Sequence, residues 1–326
     1  MSDHRLKLID VPSQRARVDF AASVRDGLRS TPKTLPSRFF YDHRGSELFE
    51  QITELPEYYP TRCEASIFAE RAAEIVSTFG CEMSLVEFGS GSSLKTRQLI
   101  WAILGCQGTL DYAPIDISGQ FLRESSEALL SEFSGLHVTA LASEYFDAIS
   151  AMPQFDKPRL ILFLGGNIGN FERGEALSFL SQVRKQMSPL DRLLIGTDLV
   201  KDPAIIEAAY NDAQGVTAEF NKNLLARINT ELGGHFDLDN FEHHAPFVRD
   251  LQRIEMRLVS KSAQRVCIDD LRIPVNFEMG ESIRTEISQK YTFESFASLA
   301  SEAGLELFQR WTDANGWFAV HLLRPA

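Results

Sequence analysis

The segment Ser84-Leu-Val-Glu-Phe-Gly-Ser-Gly-Ser-Ser93 carries the clearest fold signal in this chain. Its first five residues form a short, mostly apolar run that is typical of a buried strand, and two glycines follow at once. Glycine lets a backbone pass close to a ligand, and a helix begins soon after the loop and would offer unpaired N–H groups. The segment predicts a strand, a ligand-binding loop and a helix, although a simple tight turn explains the glycines equally well.

Apolar segments continue to alternate with helical patterns after this loop. The further predicted strands are 111–116, 136–141, 159–164 and 193–199, and the predicted helices are 64–79, 96–104, 121–133 and 177–187. The run from Arg159 to Leu164 is entirely apolar after its first residue, as expected of a strand buried on both faces. The alternation predicts an α/β fold of the Rossmann-like type, an open and mostly parallel sheet covered by helices.

The pattern changes on either side of this region and predicts a second, α+β domain. The first 60 residues are polar and punctuated by prolines, which predicts irregular structure. After Val200 we expect helix over 204–229 and antiparallel strands over 254–260 and 266–273. A helix over 293–303 and a hairpin of strands 305–311 and 317–323 then follow. We predict one domain from residues 63–200 and 288–326, and a second from residues 1–62 and 201–287.

The composition excludes several classes of partner. The 326 residues carry a net charge of -12, which argues against nucleic acid and against an anionic membrane surface, because both require a basic face. Apolar runs stay shorter than the roughly 20 residues that span a bilayer, and the first residues lack the apolar core of a signal peptide. These features predict a soluble, cytoplasmic protein.

Cysteine and histidine usage predicts neither a disulfide framework nor a metal site. The four cysteines are scattered without a CxxC pair and are predicted to be buried thiols in a reducing compartment; they are Cys63, Cys81, Cys106 and Cys267. The adjacent pair His243-His244 points to opposite sides of one element, so we interpret both histidines as surface or interdomain residues. The prediction is that no metal is bound.

Polar or glycine-rich positions follow four of the predicted strands, at the edge where α/β sheets bind ligands. Asp116 ends the second strand 25 residues after Gly91, where a carboxylate can accept from ribose hydroxyl groups. The third glycine of a dinucleotide fingerprint is replaced by Leu94. S-Adenosylmethionine (SAM) has no pyrophosphate and does not need that glycine. The pattern therefore favours a methyl donor over a nicotinamide cofactor.

Longer motifs throughout the chain make it similar to one known family. They are Leu35-Pro-x-x-Phe-Phe-Tyr-Asp42, Leu55-Pro-Glu-Tyr-Tyr-Pro-Thr-Arg62, Val86-Glu-Phe-Gly-Ser-Gly91 with Lys95-Thr-Arg97, Phe163-Leu-Gly-x-x-Ile-Gly-Asn170, Gly196-Thr-Asp-Leu-Val-Lys-Asp202, Gly215-Val-Thr-Ala-x-Phe-Asn221, Arg253-Ile-Glu-Met256 and Thr285-Glu-Ile-Ser288. From about Arg25 to Leu323 the chain resembles the SAM-dependent histidine Nα-methyltransferases of ergothioneine biosynthesis, which form hercynine.

The resemblance implies a class I methyltransferase fold and a role for each matching position. The residues implied to line the SAM site are Tyr41, Gly89, Lys95, Asp116, Glu144 and Tyr145. Those implied to bind L-histidine are Tyr58, Asn170, Tyr210, Met256, Glu286 and Ser288, with Tyr58 and Asn170 as the catalytic pair at the amine. The expected products are hercynine and S-adenosylhomocysteine, formed by a monomer. The chain departs from the family at Glu144-Tyr145, where Asp-Phe is usual, and at Gly166-Asn167.

The residue pattern leaves the acceptor open. Glu286 and Ser288 stand two apart on a predicted strand and could together read an imidazole ring. A plain alternation of Arg284, Glu286 and Ser288 on a solvent face explains the same residues, and without the resemblance it would be favoured. Tyr210 could likewise be a core residue. The alternatives are an N-methyltransferase of tryptophan or prenylated tryptophan on the same fold, a non-catalytic binding protein and, weakest, a dehydrogenase.

Overall fold

The computed structural model describes residues 4–10, 16–80 and 82–326. In chain order, the strands are β1 (Leu6–Asp10), β2 (Lys33–Thr34), β3 (Ser84–Phe88), β4 (Leu110–Asp116), β5 (Leu136–Ala142), β6 (Arg159–Phe163), β7 (Arg192–Asp198), β8 (Phe241–His244), β9 (Phe247–Val248), β10 (Arg253–Ser260), β11 (Gln264–Ile268), β12 (Ile273–Phe277), β13 (Ser282–Gln289), β14 (Leu305–Thr312) and β15 (Phe318–Pro325).

The α-helices are α1 (Ala16–Arg29), α2 (His43–Glu54), α3 (Tyr59–Ser77), α4 (Thr96–Gln107), α5 (Gly119–Glu132), α6 (Tyr145–Ala151), α7 (Arg173–Gln186), α8 (Pro203–Tyr210), α9 (Val216–Leu232) and α10 (Phe293–Glu302). Short 3-10 helices cover Ser37–Phe40, Asn167–Asn170, Leu238–Asn240 and Arg249–Leu251. The chain divides into two compact units. The first unit comprises residues 1–13, 60–200 and 290–326, and the second comprises residues 14–59 and 201–289.

The first unit is built on one sheet in the order β1-β5-β4-β3-β6-β7-β15-β14. The strands from β1 to β7 in this order are parallel to their neighbours, and β15 is antiparallel to both β7 and β14. Every residue of β3 and β6 is buried, in agreement with sequences that are apolar apart from Ser84, Glu87 and Arg159. The prediction of an α/β fold with an open, mostly parallel sheet is confirmed.

The N-terminal strand departs from the predicted domain division. β1 pairs in parallel with β5, with Leu6 opposite Val138, so it belongs to the first unit. The prediction had placed all of residues 1–62 in the second domain. The predicted boundary at 287/288 also cuts through β13, which lies wholly in the second unit. The strand pairing of β1 and of β13 decides to which unit each strand belongs. This pairing cannot be deduced from the composition of the segments.

The second unit contains a sheet in the order β2-β13-β10-β8, with β9 also paired to β10. β11 and β12 form a separate hairpin, so the single strand predicted over 266–273 is wrong. The helix predicted over 204–229 is two helices, α8 and α9. Between them the Asp212 carboxylate accepts from the backbone N–H groups of Val216 and Thr217 and caps the start of α9.

The expectation of irregular structure in the first 60 residues is wrong, because α1 and α2 lie there. Three of the described prolines stand at helix ends instead. Pro32 follows the end of α1, Pro56 follows the end of α2, and Pro60 lies in the first turn of α3, where a missing N–H costs little.

The cysteine prediction is partly wrong. Cys63 is buried and free, but Cys267 is free and exposed, and Cys106 is disulfide-bonded. Cys81 lies outside the described residues. Among the residues that the structure describes, no cluster of potential metal ligands occurs, and no helix is long and apolar enough to cross a membrane.

Candidate active site

The strand order brings four predicted site segments together in the first unit. β3 lies between β4 and β6, and the chain reverses its direction of travel across the sheet at this point. The carboxyl ends of parallel strands meet at one edge, so the segments after β3, β4, β5 and β6 lie side by side there. The predicted site positions at these strand ends are Gly89, Asp116, Glu144 and Gly165.

The loop after β3, residues 89–93, is held against the end of β4, and we call it the cofactor loop. The backbone N–H groups of Gly89 and Ser90 donate to the Ile115 carbonyl, at 2.8 and 3.1 Å. Gly89 has φ of 71°, and a Cβ there would lie 2.6 Å from the Tyr145 hydroxyl and 3.1 Å from Nδ2 of Asn167. Only glycine fits this position, because both the backbone angle and the space exclude a side chain.

The Asp116 carboxylate is oriented by backbone donors. Its Oδ2 accepts from the N–H of Gly91 and its Oδ1 from the N–H of Ser118, each at 3.0 Å. Burial raises the pKa of Asp116, and these hydrogen bonds oppose the increase. The side chain is half-buried. An acidic group fixed in this way beside a glycine loop is suited to accept from a pair of ribose hydroxyls.

Glu144 and Tyr145 open helix α6 at the end of β5. Glu144 is its N-cap residue, and Tyr145 packs edge-on against Phe163 with ring centroids 5.2 Å apart. Burial raises the pKa of Tyr145, so its phenol stays neutral. The larger tyrosine, which stands where the family usually has phenylalanine, therefore places a hydroxyl next to Gly89.

Glu64, which the sequence reasoning missed, joins three parts of this region. It is fully buried on α3, pairs with the Lys95 ammonium and accepts from the N–H of Gly165 at 2.9 and 3.0 Å. A Cβ on Gly196 would lie 2.1 Å from Oε1 of Glu64. The sequence did contain a signal for a buried carboxylate. Glu64 stands three residues before Ile67 and four before Phe68, so it shares the buried face of the helix with these apolar residues.

Glu87, also missed, lies beneath the cofactor loop on β3. Its Oε1 accepts from the Thr96 hydroxyl at 2.6 Å, and its Oε2 accepts from the Tyr112 hydroxyl. Burial outweighs these hydrogen bonds and raises the pKa of Glu87 to about 7. The carboxyl group ties the loop to the start of α4 and to β4. A charged residue inside an otherwise apolar strand was the signal in the sequence.

The loop after β6 runs through two left-handed glycines, Gly165 and Gly166, each with φ of 74°. It continues into the 3-10 helix that ends at Asn170, a half-buried residue. The side chain of Asn167 turns toward Gly89, within the contact distances given above. Of the departure Gly166-Asn167, the asparagine therefore faces the cofactor loop, whereas Gly166 lies beside Phe318 and Asp198.

In the second unit, an aromatic wall connects several of the predicted residues. The ring centroid of Phe49 lies 5.6 Å from that of Tyr41 and 6.2 Å from that of Tyr58. Tyr58 meets Tyr210 at 6.3 Å, and the Tyr210 hydroxyl is 2.7 Å from the hydroxyl of Ser288. Tyr41, which was predicted to line the cofactor site, thus belongs to the same unit as all the residues predicted to bind substrate except Asn170.

A bulge in β13 decides which residues share a face. Glu286 pairs with Met256, but the next pair is Arg284 with Arg257, so Thr285 is an extra residue. Arg284 therefore turns to the opposite face, where its guanidinium lies 3.6 Å from Glu255. The simple alternation of Arg284, Glu286 and Ser288 on one solvent face is wrong.

The residues predicted to bind the imidazole ring share one face of this sheet. Cross-strand neighbours in an antiparallel pair lie on one face, so Glu286 lies beside Met256, and Ser288 lies opposite Ile254. Met256 and Ser288 are buried, and Glu286 is half-buried. Tyr210 is buried, as expected of a core residue, but its hydroxyl also lies within hydrogen-bond distance of Ser288.

The His243-His244 interpretation is wrong for one of the pair. His244 is exposed, but His243 is buried and bonded on both ring nitrogens, to Asn221 and to the Tyr210 carbonyl. The alternation along β8 separates the two histidines as expected. Nothing in the local sequence predicted a buried partner for His243.

An open parallel sheet with a glycine loop after its central strand and an acidic residue at the next strand end defines a Rossmann-like nucleotide-cofactor fold, the class to which SAM-dependent methyltransferases of class I belong. A family model described as "Histidine-specific methyltransferase, SAM-dependent" matches residues 20–325. The chain belongs to this family.

Relatives agree with this assignment. The chain is 44% identical over 299 residues to a histidine N-alpha-methyltransferase of Mycolicibacterium smegmatis and 42% identical over 299 residues to one of Mycobacterium tuberculosis, covering 92% of each chain. It is 30% identical to ergothioneine biosynthesis protein 1 of Neurospora crassa, over 97% of this chain and 36% of that protein. The prediction of a SAM-dependent methyltransferase is confirmed.

Proposed function

We propose that this protein transfers three methyl groups from SAM to the α-amino nitrogen of L-histidine and forms hercynine, the first step of ergothioneine biosynthesis. The observation that carries the proposal is the face of the second-unit sheet where Glu286, Ser288 and Met256 lie together, with Tyr210 bonded to Ser288. The names of the relatives and the family description support the same acceptor.

The first unit offers a set of residues that fits SAM. Gly89 leaves the space that a Cβ would fill, and Asp116 presents a preoriented carboxylate at the adjacent strand end. Lys95, Glu144 and Tyr145 complete the proposed set. When bound, SAM supplies a methyl group on a sulfonium, which is already electrophilic. The chemistry therefore needs neither a covalent enzyme intermediate nor a Lewis acid, in keeping with the prediction that no metal is required.

The protein's main task is to align the amine with that methyl group and to keep the amine unprotonated. Alignment alone can lower a barrier by roughly 7–11 kcal/mol. We assign Tyr58 and Asn170 to the nitrogen, because their neutral oxygens can accept its N–H groups without adding charge. Each transfer uses the lone pair of the neutral amine to form the new C–N bond, and the first two transfers leave an N–H proton that must be released before the next. The third leaves a quaternary nitrogen without a lone pair, so the reaction stops there.

The imidazole ring would be recognised by complementary polar groups. A carboxylate at Glu286 accepts from the ring N–H, and the Ser288 hydroxyl serves the other nitrogen. The Tyr210–Ser288 contact of 2.7 Å fixes that hydroxyl in place. A site built to hydrogen-bond a polar group rejects analogues that lack it by about 10⁴–10⁵-fold. The arrangement therefore favours histidine over an indole amino acid.

The test is to incubate the protein with SAM and each of the twenty amino acids separately and to record product masses. We expect three methyl additions on histidine and none on the others. Methylation of tryptophan would support the alternative acceptor instead. Absence of any methylated product would support the non-catalytic alternative. A monomer acting in the cytoplasm remains part of this proposal, and sedimentation velocity tests the oligomeric state.

A further inference from the structure

Three buried polar side chains of the second unit form a continuous chain of hydrogen bonds behind the proposed ring site. They are Thr285 on β13, Asn221 on α9 and His243 on β8, and they are 1%, 0% and 8% exposed. None of the three belongs to the residues assigned to histidine or SAM. Their burial means that water cannot replace a lost partner without cost.

The Asn221 amide orients the whole chain of bonds. Its Nδ2 lies 3.2 Å from the Arg257 carbonyl, which can only accept, so that atom is the NH₂ group and donates. The same Nδ2 donates its second hydrogen to Nδ1 of His243 at 2.8 Å. The amide oxygen, on the other side, accepts from the Thr285 hydroxyl at 2.7 Å.

The His243 tautomer follows from these bonds. Its Nδ1 must accept from Asn221, and its Nε2 lies 2.8 Å from the Tyr210 carbonyl, which again can only accept. The ring is therefore neutral with its proton on Nε2. If Nδ1 of His243 carried a proton, its N–H would face the NH₂ group of Asn221, and neither group could accept.

Both ends of this chain return to the proposed ring site. Thr285 is the bulge residue itself, and its hydroxyl also lies 3.2 Å from the carbonyl of Met256, the cross-strand partner of Glu286. At the other end, His243 holds the Tyr210 backbone at the end of α8, and the Tyr210 hydroxyl reaches Ser288. The bonds thus form a closed circuit through β13, α9, β8 and α8.

We propose that Thr285, Asn221 and His243 are positioning residues that hold the β13 bulge and Tyr210 in place and so determine the selectivity for an imidazole ring. The inference rests on the proposed function for the identity of the acceptor. If β13 kept the pairing of Arg284 with Arg257 but lacked the bulge, Thr285 would pair with Met256. Glu286 and Ser288 would then turn to the other face of the sheet, away from Met256 and Tyr210. The three residues act through these neighbours and do not touch the substrate.

The first test uses a matched pair at the bulge. Thr285→Val keeps the shape of the side chain and removes the hydroxyl, whereas Thr285→Ser keeps the hydroxyl. We expect Thr285→Val to raise KM for histidine about 10-fold and to reduce the preference for histidine over phenylalanine. The KM for SAM should stay unchanged, and Thr285→Ser should retain parental values. Thr230→Val on the exposed face of α9 is the control for loss of a threonine hydroxyl.

A second pair of variants, at His243 and His244, tests the same proposal if Thr285→Val does not fold. His243→Gln should also raise KM for histidine, while His244→Gln, the exposed neighbour on the same strand, should not. Parental KM and parental selectivity in folded Thr285→Val or His243→Gln would overturn the proposal.

The hydrogen-bond circuit can be examined without any turnover. In long-range ¹H–¹⁵N spectra of protein labelled with ¹⁵N-histidine, His243 should appear as the neutral tautomer with its proton on Nε2. The His243→Gln spectrum provides the assignment. A ring protonated on Nδ1 at neutral pH would contradict the inference. Should the parent protein fail to methylate histidine, the proposed function fails, and this spectrum still decides whether the network exists.

Discussion

Two buried carboxylates, Glu64 and Glu87, border the cofactor loop and differ in their partners. Glu64 pairs with the Lys95 ammonium, whereas Glu87 accepts from the hydroxyls of Thr96 and Tyr112. Hydroxyl donors stabilise a buried negative charge less than a cation does. Burial raises the pKa of Glu87 to about 7, so its charge changes near neutral pH.

Glu87→Gln should change how stability depends on pH. The folded pKa of Glu87 is about 7 against an ordinary 4.5, so the folded chain holds this proton more tightly than the unfolded chain. The parent then loses stability as pH rises from about 4.5 to 7, by up to about 3 kcal/mol, and no further above that range. Chemical unfolding at several pH values should show that the free energy of unfolding of the variant rises relative to that of the parent between pH 4.5 and 7.

The control for this comparison is Glu82→Gln, an exposed position just before the same strand. Its free energy of unfolding should follow the parent at every pH. A difference between parent and Glu87→Gln that does not vary with pH would show that the buried carboxyl does not titrate as described.

Glu286→Ala tests the specificity residue directly. Loss of the proposed carboxylate partner of the imidazole N–H should lower kcat/KM for histidine by about 100-fold or more. Affinity for S-adenosylhomocysteine, measured by calorimetry, should be unchanged. Glu242→Ala, an exposed carboxylate on β8, provides the comparison. Parental histidine turnover and affinity in Glu286→Ala would remove this residue from the site.

At the scale of elements, the strands of the first unit could be predicted because buried parallel strands are continuous apolar runs. β3 and β6 are the clearest cases, and every residue in them is buried. β1 has no buried residue in its pattern and was missed. The β13 bulge could not be predicted either, because it is a matter of register between β13 and β10.

The close packing of β7 against α3 gives a prediction at this scale. A Cβ on Gly196 would lie 2.1 Å from Oε1 of Glu64 and 3.0 Å from the ring of Phe318. Gly196→Ala should therefore displace Glu64, lower the free energy of unfolding by about 1–3 kcal/mol and weaken binding of SAM. Gly174→Ala on α7 is the matched control, since nothing lies within 4 Å of its new Cβ. Equal stability of the two variants would contradict the packing.

For the whole molecule, the predicted residues divide between the two units. Gly89, Lys95, Asp116, Glu144, Tyr145 and Asn170 lie in the first unit, and Tyr41, Tyr58, Tyr210, Met256, Glu286 and Ser288 lie in the second. Residue patterns indicated only the strand-end positions, and the resemblance was needed for the others. The Tyr210–Ser288 contact spans 78 residues and leaves no local signal. The hydrogen bonds of His243 to Asn221 and to the Tyr210 carbonyl also join residues far apart in the sequence and leave no local signal.

Histidine Nα-trimethylation is tested most directly by locating the transferred methyl groups on the product. The protein is incubated with histidine and SAM labelled with ¹³C in its methyl group, and the product is examined by ¹H–¹³C correlation. We expect one methyl resonance for three equivalent groups, correlated with the α carbon of histidine. Methyl groups on an imidazole nitrogen, a product that stays partly methylated with SAM in excess, or no labelled histidine would contradict it.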